Sequence, residues 1–246
     1  MSTAVKSAVR VLEVLEHFDS IQREASVTEL ARDLGYPVSS TSVLLKCLAE
    51  SGYLEQDASR MYHPTPRVSL LGAWIDPLLA PGGPIVQMMN ELGVMTGETI
   101  ILAVPLGMTV RYISVVPATK TVRMHVGPGT TRPLLTSGFG RLFLAGMSAE
   151  KVRQNVFRFA AQQIDKAACP SLAAVRRDVQ AIRMAGHAIS MNRVTQGAGV
   201  VAVPLPKTAC NTPMAVGIGS STPTIRAHGR EFAAQIKHEI RRVLGS

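Results

Sequence analysis

Ser39, Ser40, Thr41 and Ser42 stand in a row, and Lys46 follows shortly after them. On the opening turns of a helix, such hydroxyls can bond phosphate oxygens or base edges, and a threonine methyl can touch thymine. The same hydroxyls also suit helix capping, a role open to Ser39 or Ser40. Thr28, at the start of the preceding helix, can reach a phosphate with help from the helix N-terminus. Arg60, in a polar turn, is a further phosphate contact. No comparable grouping points to catalysis. His125, His187 and His228 lack paired carboxylates or a Ser-His-Asp order. Cys47, Cys169 and Cys210 are odd in number and far apart, without metal-ligand spacing. No catalytic residue, metal or cofactor is expected, and the cysteines fit a reducing cytoplasm.

The hydroxyl row sits inside Ser26–Gly52, which reads as two helices joined by a tight turn. Ser26 and Glu29 form a capping box, each side chain serving a backbone NH of the other. Val27, Leu30, Ala31 and Leu34 recur at helical spacing. Gly35-Tyr36-Pro37 ends that helix, because Pro37 lacks an NH and disfavours helical angles at Tyr36. The second helix starts with the hydroxyls and continues with Val43, Leu44, Leu45 and Leu48. Gly52 suits a left-handed stop. A helix-turn-helix of this kind can place its second helix in the major groove. A first helix over 4–18, capped by Thr3, backs it and can carry a dimer contact. Tyr53–Gln56 and Met61–His63 flank the turn 57–60 as a β-ribbon wing.

The chain has 246 residues, 46% of them apolar, and a formal net charge of +9. That length allows one large or two ordinary domains, with enough apolar residues for a core. No apolar run spans a membrane. The N-terminus carries Glu13 and Glu16 within its apolar pattern, which suits an amphipathic helix and not a signal peptide. The positive charge is unevenly placed. Residues 1–66 hold six Lys/Arg against nine Asp/Glu, net −3; the remainder holds 20 against eight, net +12. The basic excess therefore lies outside the helix-turn-helix, as a solvated surface or a site for an anionic ligand.

Pro64 and Pro66 close the wing. Residues 67–82 read as a linker helix interrupted by Pro77 and the run Pro81-Gly82-Gly83-Pro84. Beyond it, a helix over 85–95 precedes strands at 99–104, 110–116 and 122–126. Helices over 136–147, from Ser148 to about 159 and from Ser171 to about 185 follow. Strands at 187–191, 200–205 and 213–219 lead to a last helix capped by Thr222. The fold class is α+β, helices around a largely antiparallel sheet. The domains are 1–66, 67–82 and 83–246.

The chain resembles the IclR family of bacterial transcriptional regulators over nearly its whole length. The resemblance rests on Ala8–Glu16, on Ser26–Tyr53, on GVMTGET at 93–99, on PLLTSGFGRLFLA at 133–145, on IRMAGHA at 182–188 and on GAGVVAVP at 197–204. It implies a winged helix-turn-helix, a linker helix and a GAF-like α/β effector domain. Members bind double-stranded operator DNA as homodimers or homotetramers, away from membranes. They repress or activate in response to small organic acids or aromatic catabolites. Many relatives carry Arg where Val43 stands, so a charged guanine contact is lost there.

The resemblance also maps the effector pocket. Gly138 and Phe139 fall at the start of the helix that covers it. Ser190 falls where an acidic residue is common, and Val200 where a cysteine is common. Gly217 and Gly219 fall where serines often sit, and Met124 lies on the strand before. Fewer donors and two glycines imply a wider, more apolar pocket for an aromatic or longer-chain acid, with Phe139 stacking on it. The glycines alternatively serve strand sterics. Arg193 replaces a common Glu and is the candidate partner for a carboxylate, ahead of Arg123 and Arg132; otherwise it faces solvent on a loop. The alternative function is an interaction and dimerisation module whose helix-turn-helix no longer binds DNA, which the −3 charge favours.

Overall fold

The structure, a computed structural model, describes residues 5–71, 77–80, 82–120, 126–162, 169–206 and 212–245. It divides into two compact units, Met1–Pro77 and Leu78–Ser246.

In the first unit, helix α1 spans Lys6–Ile21, α2 Val27–Leu34 and α3 Val38–Glu50. Strands β1 (Leu54–Gln56) and β2 (Tyr62–Pro64) pair antiparallel as the wing, and Ala25 bridges to Tyr62. Val14, Phe18, Leu30, Leu45, Leu48, Leu54 and Tyr62 form its core. Ser26 caps α2 by accepting the Glu29 NH at 3.2 Å. The capping box is only half made: the Glu29 carboxylate turns to Arg23, which holds its pKa below the usual carboxylate range. Thr3 lies outside the described residues; Val5 is the N-cap of α1 and makes no side-chain cap bond.

Helix α4, Pro66–Leu70, follows the wing. It is tied back by Arg67, which donates to the Ser51 carbonyl at 3.0 Å and stacks 4.7 Å from the Tyr53 ring centre. The linker expected over 67–82 is described only as this helix and a 3₁₀ turn at Pro77–Leu79; 72–76 and 81 lie outside the described residues.

In the second unit, helix α5 (Pro84–Thr96) leads into β3 (Thr99–Leu106) and β4 (Thr109–Val116), turning at Gly107 with φ +59°. Then come β5 (Thr131–Pro133), α6 (Gly138–Ala145), α7 (Ala149–Gln162) and α8 (Leu172–Ala185). The chain closes with β6 (Ala188–Met191), β7 (Ala198–Pro204), β8 (Ala215–Ser221) and α9 (Thr222–Leu244). The sheet order is β5-β4-β3-β8-β7-β6, antiparallel throughout.

Strand alternation divides the core into two layers. Ile100, Leu102, Val216 and Ile218 meet residues of α5 and α9 on one face. Ile101, Ala103, Val110 and Ala202 meet α6, α7 and α8 on the other. One expectation differs, one strand was not anticipated, and one expected strand is not described. Ser221, and not Thr222, caps α9, since its hydroxyl accepts the Thr224 NH at 3.3 Å. The short edge strand β5 was hidden by its polar, proline-ended sequence. The strand expected at 122–126 falls almost wholly outside the described residues.

Gly140 shows how tightly α6 is seated. A Cβ there would lie 2.0 Å from the Leu134 carbonyl oxygen. That neighbour is backbone and cannot rotate away. Gly140→Ala should therefore destabilise the unit by about 1–3 kcal/mol, the usual range for overpacking. Each kcal/mol lowers the melting temperature by roughly 2–4 °C in a domain of this size. An unchanged thermal melt would overturn the claim that Gly140 has no room for a side chain.

Candidate functional site

Helix α3 begins where Pro37, at φ −63° and ψ 135°, ends the extended turn. Pro37 takes the N-cap position without a side-chain bond, so neither Ser39 nor Ser40 caps the helix. The Ser40 and Thr41 hydroxyls both donate to the Pro37 carbonyl at 3.0 Å. Ser39, Val43 and Lys46 are exposed, and Ser40 and Ser42 are half-buried. Thr41 is a correction: it is 1% exposed, so it packs inside and presents nothing to a partner. Thr28 is exposed on the first turn of α2.

Arg60 is exposed at the wing tip and adopts φ +63°. Asp57 holds that turn by accepting the Met61 NH at 2.8 Å. A cavity of about 450 Å³ between α1 and α3 adds residues that sequence reasoning missed. Lys6 and Arg10 line it beside Ser40 and Val43, and the Arg10 guanidinium lies 4.6 Å from the Tyr36 ring centre. The i, i+4 spacing of Lys6 and Arg10 put both on one face of α1; only the fold shows that α3 adjoins it.

In the second unit, Ser137 caps α6 by accepting the Gly140 NH at 3.1 Å. The first turn of α6 lies directly on β6 and β7. A Cβ on Gly138 would meet Val200 Cγ1 at 2.6 Å and Ser190 Cβ at 2.8 Å. Two cavities share Gly138, Ser190 and Arg193 in their walls. The smaller, about 40 Å³, also touches Tyr112, Arg132 and Val200. The larger, about 260 Å³, is completed by aliphatic groups of Ala181, Ile182, Ala188 and Ile189 and by Arg141, Asp178 and His187.

Among the described residues, Phe139 is not placed to stack on a ligand ring in a wider, more apolar pocket, contrary to what the sequence led us to expect. Phe139 is fully buried, with its ring centre 5.6 Å from that of Tyr112. A Cβ on Gly217 would meet Phe139 Cζ at 2.6 Å and the Val201 carbonyl at 2.5 Å. The space left by that glycine is filled by the phenyl ring. Gly219 is buried on the same strand and lines neither cavity. Phe139 and Gly217 are thus packing positions. Met124, with Arg123 and His125, lies outside the described residues.

Arg193 does not simply face solvent. Its guanidinium donates to Asp178 at 2.8 Å, and Arg141 donates to the same carboxylate oxygen at 2.8 Å. Arg141 is 3% exposed and also donates to the Leu135 carbonyl. Burial lowers its pKa; Asp178 opposes that shift and Arg193 adds to it. Arg132 lies 5.8 Å from the Tyr112 ring centre, and burial pushes the Tyr112 phenol up despite Arg132, keeping it neutral. Among the described residues, no group of three His, Cys, Asp or Glu could hold a metal, and no helix is long and apolar enough to cross a membrane.

The two ion pairs of Asp178 should differ in worth. Asp178→Asn leaves Arg141 charged and buried, a change that costs about 3–5 kcal/mol. Arg193→Ala breaks a partly exposed pair, worth about 0–1 kcal/mol. Urea denaturation of the two variants checks this; equal losses would show that Arg141 does not rely on Asp178.

A family model described as the IclR helix-turn-helix domain matches residues 7–58. A second, the bacterial transcriptional regulator IclR C-terminal, matches residues 85–243. The HTH-type transcriptional regulator BhcR of Paracoccus denitrificans is 25% identical over 237 residues, 95% of this chain and 83% of that protein. The HTH-type transcriptional repressor AllR of Klebsiella pneumoniae is 26% identical over 197 residues, covering 78% of this chain and 71% of that protein. The crystal structure of Thermotoga maritima IclR shares the fold at a TM-score of 0.68 and 19% identity, over 98% of this chain and 99% of that one. An IclR transcriptional regulator from Alicyclobacillus acidocaldarius gives a TM-score of 0.67 at 23% identity, over 97% of each chain. The reading as a dimerisation module without DNA binding gains nothing from them. Because the two family matches run through both the helix-turn-helix and the sheet unit with its cavities, the chain belongs to the IclR family and is a DNA-binding transcriptional regulator, not an enzyme.

Proposed function

We propose that operator binding by residues 1–66 is modulated by a small organic acid held in residues 83–246, with 67–82 connecting the two. The observation that carries this reading is the sharing of one carboxylate, Asp178, by the guanidinium groups of Arg141 and Arg193. The cluster holds two positive charges against one negative. A ligand carboxylate beside Arg193 supplies the missing charge and forms charge-assisted hydrogen bonds. Gly138, Ser190 and Val200 shape the wall, and the aliphatic side of the larger cavity suits an aliphatic chain better than an aromatic ring. On the DNA side, Ser39, Ser40, Ser42 and Lys46 face the duplex, with Thr28 and Arg60 on flanking phosphates. The protein acts in the cytoplasm as a homodimer or homotetramer. The exposed Val9 and Leu12 on α1, with Val5 at its N-cap, support pairing of copies. The AllR relatives are repressors, which supports repression as the mode.

Thermal shift against aliphatic carboxylates of two to eight carbons, with benzoate alongside, tests the ligand. An aliphatic acid at a hundred times its dissociation constant adds about 2.7 kcal/mol of stability. The wild type should show that shift and Arg193→Ala should lose it. If none of these acids stabilises the wild type, the acid reading fails.

The DNA face is tested separately. Ser40→Ala combined with Lys46→Ala should weaken duplex binding about tenfold and flatten the salt dependence by about 0.9 in log-log slope, one phosphate contact. The melting temperature should hardly change. Unaltered affinity would reject the docking of α3.

A further inference from the structure

Helix α3 turns by about 100° per residue, so its buried residues fix what faces out. Thr41, Leu45 and Leu48 are 1%, 0% and 6% exposed and point inward. Ser39, Val43 and Lys46 lie on the opposite side, and Val43 is 69% exposed. A helix-turn-helix reads bases with the N-terminal part of its second helix. From Val38 to Leu45 that part contains no Arg, Lys, Asn, Gln, Asp or Glu. It therefore has no side chain able to pair bidentately with guanine or adenine. Two kinds of base contact remain. Serine hydroxyls can bond several base edges and discriminate weakly. An exposed aliphatic group matches one feature of the major groove, the C5-methyl of thymine.

The surroundings of Val43 support that contact. Lys6 and Arg10 border the same cavity between α1 and α3. Positive charge for the backbone thus sits beside Val43, from Lys6 and Arg10 across the cavity and from Lys46 one turn on along the same face. The apolar surface of Val43 continues one turn on, at the exposed Cys47.

We propose that Val43 reads a thymine methyl, so that each half-site bound by this chain carries a T·A pair beneath it. This rests on the docking of α3 set out above, and the experiment separates the two. The full-length protein is used to enrich random-sequence duplexes, with wild type and Val43→Ala run in parallel. The best wild-type duplex is then remade with single thymines replaced by deoxyuridine, which lacks the methyl. At one thymine per half-site, the swap should weaken wild-type binding about fourfold, the factor for about 0.8 kcal/mol of buried methyl-sized surface. Val43→Ala should ignore the swap at that position, and Val43→Thr, which keeps one methyl, should partly feel it. A swap that nowhere affects the wild type, or that affects Val43→Ala equally, overturns the role of Val43 while leaving α3 docked. Enrichment of G·C at every fixed position overturns it too. If the wild type enriches no duplex, the docking of α3 falls and the Val43 contact with it.

Discussion

The second unit depends on how closely the first turn of helix α6 approaches the sheet and the chain before it. Gly140 passes over the Leu134 carbonyl, Gly138 rests on Val200 and Ser190, and Phe139 sinks over Gly217. Each contact removes the room for a side chain, and together they fix both the height and the rotation of the helix. Ser137 fixes its start. Once α6 is set this way, Arg141 is buried and meets the Leu135 carbonyl. Packing therefore comes first, and the charge arrangement of the cavity follows from it.

A buried guanidinium requires a counter-charge, because desolvation of an unpaired ion costs several kcal/mol. Asp178 on α8 supplies it, which links α6 to α8 more specifically than apolar packing alone does. The loop after β6 then adds Arg193 to the same carboxylate. Screening differs between the two: Arg141 is enclosed, whereas the Arg193 side chain is 44% exposed. The enclosed pair holds structure, and the exposed one can exchange partners at little cost. A positively charged residue with a weakly held partner, on the wall shared by two cavities, is what recognition of an anion requires. The +12 balance of residues 67–246 reinforces that sign at longer range.

Much of this was legible in the sequence, for identifiable reasons. Period and punctuation placed α2, α3 and α8 because Ser26, Gly35, Ser171 and Gly186 act locally through capping and left-handed angles. The β3–β4 hairpin followed from alternation around Gly107. What failed was anything set by distant partners. Thr41 reads as a hydroxyl donor, yet the packing of α3 on the core turns it inward. Gly217 reads as open space, yet Phe139, 78 positions earlier, fills it. Asp178 gave no signal, because its role exists only once Arg141 and Arg193 converge on it. Strand β5 pairs with β4 through three residues whose sequence suits a loop equally well.

The acidic balance of residues 1–66 runs against DNA binding as a sum, so the location of its charges matters. Glu29 is engaged by Arg23, Asp33 by Arg32 and His17, and Glu13 by the Tyr36 hydroxyl. Asp57 is held in the wing turn. These carboxylates have local partners, so their effect on a distant phosphate is reduced. The field near the start of α3 is set by closer groups: Lys6, Arg10, Lys46 and the positive end of the helix itself. Pairing takes Arg23 and Arg32 out along with Glu29 and Asp33 and leaves the −3 balance unchanged, so the attraction for a phosphate backbone rests on where the remaining cations stand. The attraction is still modest for a single copy, since few cations contribute and salt screens them over about 8–10 Å. Two linked copies make the second contact intramolecular and raise the combined affinity without any added charge. Under the proposed docking and pairing of copies, a reader built on hydroxyls and an exposed valine gains its strength from the second copy and its selectivity from the shape of the bases it meets.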